Sequence, residues 1–286
     1  MPIIKMVGII SKPNAPAAGE LIPKLIDWLQ RRGIGVRIDE ATAAYIGEVG
    51  LPRQAVPEGC DLVIVLGGDG TLLSAARAIG RREVPLFPVN LGGLGFLTAI
   101  TVDDLFPELE RALRGEHRIA KRSKMHVEVL RDGKLLDAFD SLNDAVINKV
   151  SLARMIDLDT YVDEQFVCAY KADGLIISTP TGSTAYSLSA GGPIIFPSVP
   201  TLCITPICPH MLTHRPLLVP DTSVIRVTSR DPDEGVYLTI DGQVGTPLRE
   251  HDAVVCHSSH YALHLVRPPK QMFFDVLRQK LKWGER

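Results

Sequence analysis

The sequence predicts two domains: an N-terminal α/β domain with a parallel, Rossmann-like sheet, and a C-terminal all-β domain that is β-sandwich-like. Strand and helix patterns alternate over the first third of the 286 residues, whereas strand patterns separated by turn residues follow one another from about residue 120 to 266. A helical pattern returns after Pro268-Pro269. We therefore expect the α/β domain at 1–118, joined by a C-terminal helix at 268–286, and the all-β domain at 119–267.

The elements of the first domain can be assigned in order along the chain. The apolar spacing of Leu21, Leu25 and Leu29 predicts a helix, and ligands bind such a sheet at the carboxyl ends of its strands. Asp103 or Thr101 can cap the last helix. The predicted strands are Lys5 to Ile10, Val36 to Ile38, Leu62 to Leu66 and Val84 to Val89, and the predicted helices are Gly19 to Arg32, a segment after Gly70, and Asp103 to Arg114.

The second domain contains short strand patterns bounded by turn residues. Long helical periodicity is absent there. The clearest strands are His126 to Leu130, Leu158 to Val162, Ser223 to Thr228 and Val236 to Ile240.

The composition excludes several classes of protein. A formal net charge of −2 gives no general attraction to nucleic acid, and no apolar run approaches the length of a membrane span. The N-terminal segment has Lys5 inside a short apolar stretch, which is typical of a strand and not of an export signal. The five scattered cysteines suit reduced thiols. We therefore expect a cytoplasmic protein without nucleic-acid or membrane partners.

The most informative segment is Gly67-Gly-Asp-Gly-Thr71, which follows a buried strand and opens a helix. A glycine-rich turn into a helix N-terminus offers backbone N–H groups to phosphate. Phosphate oxygens repel a carboxylate, so a cradle for phosphate alone would not select Asp69. The segment is typical of phosphoryl transfer, with Asp69 holding a metal, orienting a hydroxyl or accepting its proton.

Two further polar segments lie at strand patterns. The segment from Asn90 to Leu97 carries three glycines, but not in the Gly-x-Gly-x-x-Gly spacing of dinucleotide sites. A plain turn and a ligand loop are both compatible with it, and two such loops at neighbouring strand ends would frame one crevice. Asn143-Asp144 can form hydrogen bonds with sugar hydroxyls and base edges, although an Asx turn is favoured from these residues alone.

The longest polar segment runs from Lys171 to Pro193. Its strand, Leu175 to Ser178, leads into a series of hydroxyl groups, and Tyr186 offers a flat face to an aromatic base. A solvated loop is the alternative, but the apolar Leu188 argues against it. The hydroxyl groups belong to Thr181, Ser183, Thr184, Ser187 and Ser189.

Two other constellations are weaker. Cys203, Cys208, His210 and His214 could suggest zinc, but the Cys-x4-Cys spacing is loose and proline interrupts it, so scattered strand-end residues are the favoured interpretation. Ser178 or Ser183 with Asp173 and a histidine could imitate a hydrolase triad, but there is no Gly-x-Ser-x-Gly elbow. We assign no metal ligand to the protein.

Together, the four segments resemble the NAD kinase family from the first strand to about residue 250, and Asp173 to Tyr186 is the most specific part. The Gly-Gly-Asp-Gly-Thr motif alone is shared with diacylglycerol and sphingoid lipid kinases. The resemblance implies transfer of the γ-phosphoryl group of ATP, or of another donor, to the 2′-hydroxyl of the adenosine ribose of NAD, giving NADP. It also implies Mg²⁺ with ATP, and a homo-oligomer (a dimer or tetramer) whose sites are built from two subunits.

The resemblance also implies a role for each matching residue. Asp69 engages the 2′-hydroxyl and accepts its proton, while phosphate approaches the backbone of Gly67, Gly68, Gly70 and Thr71. Asn143 and Asp144 bind the ribose and base of NAD, and Lys171 and Asp173 lie near the nicotinamide. The dinucleotide pocket is formed by Thr184, Ala185, Tyr186, Ser187, Leu188 and Ser189, with further contacts from Arg154 and Gln243.

Two features qualify the match. The family usually has Asn-Glu where this chain has Asn143-Asp144, so the carboxylate is on a shorter side chain. No basic residue lies between Gly67 and Ser74, so Mg²⁺, backbone amides or distant cations must offset the phosphoryl charge; for Lys12, a plain surface lysine is the favoured interpretation. The alternatives are a lipid or sugar kinase and a non-catalytic dinucleotide sensor, against which Asp69 favours catalysis.

Overall fold

A computed structural model of the chain describes residues 4–93, 95–149, 155–230, 235–269 and 272–283. The chain divides into two compact units. The α/β unit comprises Met1–Lys121 and Leu263–Arg286, and the β unit comprises Arg122–Ala262. In the described ranges, no helix has the length and apolar character needed to cross a membrane.

The α/β unit is built on a parallel sheet. Its strands lie in the order β2-β1-β3-β4 and all these neighbours pair in parallel. The strands are β1 (Met6–Ser11), β2 (Gly35–Ile38), β3 (Leu62–Leu66) and β4 (Leu86–Val89), and the helices between and after them are α1 (Pro16–Gln30), α2 (Glu40–Ala43), α3 (Asp69–Ile79) and α4 (Leu105–Leu113). A single 3₁₀ turn, Arg53–Ala55, precedes β3.

Local sequence explains these elements. Every residue of β3 is buried, as expected for a strand covered on both faces. Helix α1 buries Leu21, Leu25 and Leu29 at helical spacing, and it begins at Pro16, three residues before the predicted start, because proline is favoured in a first turn. In the turn before α4 the Thr101 hydroxyl accepts a hydrogen bond from the amide of Asp104 at 3.2 Å. The N-cap residue of α4 is Asp104, whose side chain makes no capping hydrogen bond in the described structure, so capping of this helix by Asp103 or Thr101 was predicted wrongly.

In its described residues the β unit contains antiparallel strands, one short α-helix and one 3₁₀ turn, Gly182–Thr184. The strands and the α-helix are β5 (Arg118–Arg131, which begins in the α/β unit), β6 (Lys134–Ser141), β7 (Asp144–Lys149), β8 (Ile156–Val162), β9 (Gln165–Ala172), β10 (Gly174–Ser178), α5 (Tyr186–Ser189), β11 (Thr201–Ile207), β12 (Leu217–Pro220), β13 (Ile225–Ser229), β14 (Val236–Ile240), β15 (Val244–Leu248) and β16 (Ala253–Arg267, which ends in the α/β unit).

These strands form two sheets that share one core. The first has the order β12-β11-β10-β7-β14-β15, and the second contains β16, β13, β8 and β9, with β5 paired to β16 and to β6. Alternate side chains of both sheets, such as Val127, Ile147 and Leu238, belong to the same buried cluster. The sandwich-like all-β domain and the parallel α/β sheet together confirm the predicted fold class.

The C-terminal residues belong to the α/β unit. Leu265, near the end of β16, pairs in parallel with Leu86 of β4. The last helix, α6 (Phe273–Leu281), buries Val276 and Leu277. The helix predicted after Pro268-Pro269 is therefore present.

Candidate functional site

The first glycine loop joins β3 to α3 and places Asp69 at the first residue of that helix. The carbonyl of Gly68 accepts hydrogen bonds from the amides of Thr71 and Leu72 at 3.0 and 3.1 Å. The positive end of the helix dipole favours an acidic residue in the first turn. Local structure therefore explains how an aspartate is accommodated among glycines.

The carboxylate of Asp69 connects the first glycine loop to the second. Its Oδ2 accepts a hydrogen bond from the amide of Phe96 at 2.9 Å, and its Oδ1 accepts from the amides of Leu97 and Thr98 at 3.1 Å each. The Thr98 hydroxyl also donates to Oδ1, at 3.0 Å. A Cβ atom at Gly95 would stand 2.1 Å from Oδ1, so only glycine permits this approach.

The four hydrogen bonds are divided unevenly between the two oxygens. A carboxylate oxygen has about two lone-pair sites. Oδ1 accepts three of the bonds and Oδ2 accepts one. Oδ2 is therefore the oxygen with capacity for a further donor, such as a hydroxyl group.

Asn90 has a role in the second loop that was not predicted from the sequence. Asn90 is buried directly after β4, and its Nδ2 donates to the carbonyl of Gly93 at 2.9 Å and to the Thr98 hydroxyl at 2.8 Å. The Thr98 hydroxyl in turn donates to Asp69. The only indication of this role in the sequence was that Asn90 is a polar residue directly after an apolar strand.

Two cations lie near the glycine loops within the α/β unit. Arg267 donates from Nη2 to the carbonyl of Phe96 at 3.1 Å, a contact that could not be read from residues 171 positions apart. Lys12 is exposed, and its amide donates to the carbonyl of Leu66 at 2.8 Å. The backbone of Lys12 therefore lies beside the carboxyl end of β3, where the first loop begins.

In the β unit, a cavity of about 370 Å³ opens on the outer face of the six-stranded sheet. Side chains alternate along β7, so Ala145 and Ile147 face the core, whereas Asp144, Val146 and Asn148 line the cavity. The other lining residues are Asn143, Ala185, Tyr186, Thr239, Asp241 and Gly242. Asn143-Asp144 and Ala185-Tyr186, which come from two separate predicted segments, are thus brought together.

The carboxylate of Asp241 supports this cavity, a role that was not predicted from the sequence. Its carboxylate accepts hydrogen bonds from the Ser141 hydroxyl at 2.7 Å and from the amides of Leu142, Asn143 and Asp144 at 3.1, 2.8 and 3.2 Å. Its backbone has φ +51°. An aspartate before glycine at a hairpin end was the only signal, and that pattern is typical of any tight turn.

Asp144 lies in an environment that favours its protonated form. Its exposed fraction is 4%. Burial, and then the negative charge of Asp241, raise the pKa of Asp144 to about 7. Near neutral pH this side chain therefore exists both as a carboxylate, which accepts hydrogen bonds, and as a carboxylic acid, which also donates one.

Asn143 presents an unused acceptor beside the cavity. Its buried Oδ1 has no hydrogen-bond partner within the part of the chain that the structure describes, a situation that is uncommon for buried polar atoms. Its backbone is fixed, because its carbonyl accepts from the amide of Thr179 at 2.9 Å. A Cβ atom at Gly182 would stand 2.1 Å from the same carbonyl oxygen, so glycine is required there.

Several hydroxyls of the long polar segment bond within the protein. The Thr179 hydroxyl donates to the carbonyl of Leu142 at 2.6 Å, and the Ser183 hydroxyl donates to the carbonyl of Pro180 at 2.7 Å. The fully buried Ser187 shares a 3.0 Å hydrogen bond with Thr205. These bonds hold the loop so that Ala185 and the 45% exposed Tyr186 line the cavity.

The remaining predicted site residues lie around this loop and at the other end of β10. Lys171 and Asp173 are exposed and precede β10, whose Gly174 is paired with the cavity-lining Asn148. The Thr184 hydroxyl donates to the carbonyl of Thr181 at 3.3 Å. Leu188 is half-buried and Ser189 and Gln243 are exposed, whereas Arg154 lies outside the described residues.

The residues suggested for a zinc site and for a hydrolase triad make other contacts in the structure. Cys203 is buried beside Thr205 at 3.3 Å, and the ring of His214 packs edge-on against Tyr170 at 5.0 Å. Ser178 and Asp173 lie at opposite ends of β10, roughly 15 Å apart at the rise of a strand. That separation is too large for a hydrolase triad that uses Ser178.

Comparison with known proteins gives a consistent result. Residues 7–117 match the model of the ATP-NAD kinase N-terminal domain, and residues 142–268 match that of the ATP-NAD kinase C-terminal domain. The chain is 78% identical to an NAD kinase from Solibacter usitatus over 100% of both chains, and 47% identical to one from Koribacter versatilis over 99% of this chain and 100% of the relative.

Solved structures share the fold. A crystal structure of yeast NADH kinase complexed with NADH has a TM-score of 0.93 at 26% identity and covers 100% of this chain and 90% of the yeast chain. An NAD kinase from Archaeoglobus fulgidus in complex with ATP has a TM-score of 0.77 at 23% identity and covers 97% of this chain and 98% of that one.

Proposed function

The chain belongs to the NAD kinase family, and we propose that it transfers the γ-phosphoryl group of ATP, or of another phosphoryl donor, to the 2′-hydroxyl of the adenosine ribose of NAD, giving NADP. The observation that carries this function is the 78% identity to an NAD kinase over the whole of both chains. The enzyme is thus a phosphotransferase with an alcohol acceptor, and not a lipid kinase, a sugar kinase or a sensor.

The outer-face cavity of the β unit is the proposed NAD site. The Oδ1 of Asn143, which has no hydrogen-bond partner among the described residues, accepts from a donor on the adenosine part of NAD, and Asp144 binds through its carboxyl group beside it. The ring of Tyr186 packs on the adenine, and the rest of the loop, namely Thr184, Ala185, Ser187, Leu188 and Ser189, shapes the pocket. Gln243 and Arg154 add further contacts.

The dinucleotide lies along β7 in this proposal. Asp144 and Asn148 both line the cavity, four residues apart on the strand, which corresponds to roughly 13 Å. That length suits an extended dinucleotide with its adenosine at Asp144. Lys171 and Asp173, which lie next to the partner of Asn148 in β10, are then near the nicotinamide.

Asp69 is the proposed catalytic residue. Its Oδ2 accepts a hydrogen bond from the 2′-hydroxyl and takes the proton as the new O–P bond forms, while the bond from the γ-phosphorus to its leaving oxygen breaks. The hydrogen bonds from the second loop hold the carboxylate in one orientation, and such alignment supplies much of the rate enhancement in phosphoryl transfer. Backbone amides of Gly67, Gly68, Gly70 and Thr71 face the phosphates.

Mg²⁺ is proposed to enter with ATP as part of the substrate. Mg²⁺ prefers oxygen ligands and is commonly held by substrate phosphates and water. Among the described residues, one group of potential metal ligands lies close together, and it consists of two histidines and one glutamate. Because Mg²⁺ prefers oxygen ligands, this group does not suit it. We therefore assign Mg²⁺ no protein ligand.

We further propose a cytoplasmic homo-oligomer, a dimer or tetramer. Five free thiols fit a reducing compartment. The edge strand β12 of the six-stranded sheet exposes Leu217 and Leu218, and an exposed apolar edge is suited to association. Light scattering on the purified protein measures the subunit count.

A donor and acceptor panel tests the activity. Purified protein receives MgATP with NAD, NADH, a diacylglycerol or fructose 6-phosphate, and ADP and NADP are quantified; polyphosphate replaces ATP in a parallel series. We expect ADP release with a nicotinamide dinucleotide and stoichiometric NADP formation from NAD. ADP release with the lipid or sugar instead, or NAD binding without ADP release, would refute the proposal.

A further inference from the structure

A second group of ligand-type side chains lies in the β unit and has no part in the proposed kinase mechanism. His126 and Glu128 are two residues apart on β5, so their side chains share a face of the strand. His257 lies on β16, which pairs with β5. One ligand atom from each of the three residues lies within 4.8 Å of the others. We call these three residues the histidine cluster.

Hydrogen bonds determine which nitrogen of each imidazole is available. Nδ1 of His126 lies 2.9 Å from Oδ1 of Asp140, and Nδ1 of His257 lies 2.9 Å from the carbonyl oxygen of Ser258. A carboxylate and a carbonyl only accept, so each Nδ1 carries the proton. In a neutral imidazole the lone pair is then on Nε2, which is the nitrogen that binds a metal.

The cluster is held in place by its strands. Asp140 is directly opposite His126 in the β5–β6 pair, and a carboxylate behind a histidine is the usual outer support of a metal-ligating imidazole. The two rings are 5.2 Å apart between centroids. The side chains of His126, Glu128 and Asp140 have exposed fractions of 23%, 33% and 24%, so the site is sheltered but open to an ion.

The charges and distances suit a dication. Two neutral imidazoles and the carboxylate of Glu128 give the cluster a net negative charge, and Nε2 of His126 is 3.7 Å from Oε1 of Glu128. Zinc bonds of about 2.0–2.1 Å place tetrahedral ligands roughly 3.3 Å apart. Small side-chain rotations would therefore bring three ligands to one ion.

We propose that the β unit binds one Zn²⁺ through Nε2 of His126, Nε2 of His257 and the carboxylate of Glu128, with water as the fourth ligand. Two imidazoles favour zinc over Mg²⁺ or Ca²⁺, which prefer oxygen ligands. The ion would join β5 to β16 and stabilise the folded β unit. It takes no part in phosphoryl transfer.

Calorimetric titration of ZnCl₂ into the chelator-treated, full-length protein tests this site. A Cys208→Ser background removes an exposed thiol that could bind zinc elsewhere. We expect one ion per chain, and a loss of affinity of roughly 100-fold or more in His257→Gln and Glu128→Gln, with about 10-fold or more in Asp140→Asn. His260→Gln, an exposed histidine on the same strand, is the matched control and should bind like the parent protein.

Two further measurements keep the test decisive. Co²⁺ added to the unmutated enzyme should give the visible absorption of a tetrahedral site, which needs no substitution. The variants should keep MgATP-dependent NADP formation, since the cluster is outside the proposed kinase site. Equal zinc affinity in parent and His257→Gln proteins, or no stoichiometric binding in the parent, would mean that the cluster is only an ion pair of His126 with its carboxylates.

Discussion

Asp69 in the glycine loops of the α/β unit and Asp144 in the cavity of the β unit have opposite environments. Asp69 accepts hydrogen bonds from three amides and one hydroxyl, which hold it as an oriented acceptor. Asp144 is buried next to Asp241, and its pKa is raised to about 7. Donors favour a carboxylate, whereas burial beside a like charge favours the acid. The same residue type can therefore be a fixed acceptor in one unit and a titrating group in the other.

Replacing Asp69 tests the first side of this comparison and should have the largest effect. Asp69→Asn keeps the size of the side chain but removes the proton acceptor, so we expect kcat to fall by roughly 10²–10⁴-fold. The KM for NAD should change little, because the proposed NAD contacts other than the 2′-hydroxyl bond to Asp69 lie in the β unit. Steady-state kinetics measure both constants.

Thr98→Ala is the matched control for loop disturbance. It removes one hydrogen bond to Asp69 and leaves the carboxylate in place. We expect a much smaller fall in kcat than in Asp69→Asn. Near-normal turnover of Asp69→Asn, or equal losses in the two variants, would contradict the catalytic assignment.

Asp241→Asn tests the support of the cavity. In the carboxylate, Oδ2 accepts from the amide of Leu142 and Oδ1 accepts from the amides of Asn143 and Asp144. The substituted side chain retains one acceptor oxygen but turns an N–H₂ group towards the amide or amides that faced the other oxygen, so we expect the free energy of unfolding to fall by about 2–3 kcal/mol. Chemical denaturation measures this change. Asp132→Asn is the matched control, because Asp132 also precedes glycine at a hairpin and has φ +50°, but is exposed. Equal losses in both variants would refute the supporting role.

The raised pKa of Asp144 makes stability depend on pH. An unfolded aspartate titrates near ~3.9 and folded Asp144 near about 7, so the folded protein binds more protons between these values. Stability therefore falls as pH rises through this window, and the penalty is complete above pH about 7. In Asp144→Asn the penalty is absent.

Denaturation of both proteins at pH 5 and pH 8 measures the effect. The free energy of unfolding of Asp144→Asn, relative to the parent, should increase by roughly 2–3 kcal/mol between these pH values. Asp103→Asn, at an exposed aspartate, should give a constant difference. A difference for Asp144→Asn that does not vary with pH would show that burial beside Asp241 does not perturb this group.

Tyr186→Ala should have the smallest effect. An aromatic contact contributes about 0.5–1.5 kcal/mol beyond area burial, so the KM for NAD should rise by roughly 3–10-fold with little change in kcat. Tyr261→Ala is the control, since Tyr261 is similarly exposed, at 39%, and does not line the cavity. An unchanged KM in Tyr186→Ala would remove the ring from the proposed adenine site.

Residues close together in the chain explain why much of the fold could be predicted. The apolar run of β3 and the helical spacing of Leu21, Leu25 and Leu29 are set by periods of a few residues. The change from helical to strand patterns near residue 120 likewise predicted an all-β domain. Exact element ends were less predictable: α1 begins at Pro16 and not at Gly19.

The site was predicted in pieces. Asp69, Asn143 and Tyr186 were predicted as site residues from separate segments, but the contact of Asp69 with Leu97 and Thr98 depends on two neighbouring strands ending at the same edge of the sheet. Asp241 was missed because its partners lie about 100 positions earlier in the chain. Nothing in the local sequence distinguishes such an aspartate from any other turn residue.

The fold class, the two glycine loops and the residue types available for phosphoryl transfer follow from short-range periodicity and backbone freedom, so they could be predicted before the structure was known. Tertiary structure alone decided what each acidic group does. The hydrogen-bond partners of Asp69, the burial of Asp144 beside Asp241 and the meeting of His126 with His257 all depend on strands that are distant in the chain. Charge and hydrogen bonding act through space, so their consequences appear only when those strands are paired.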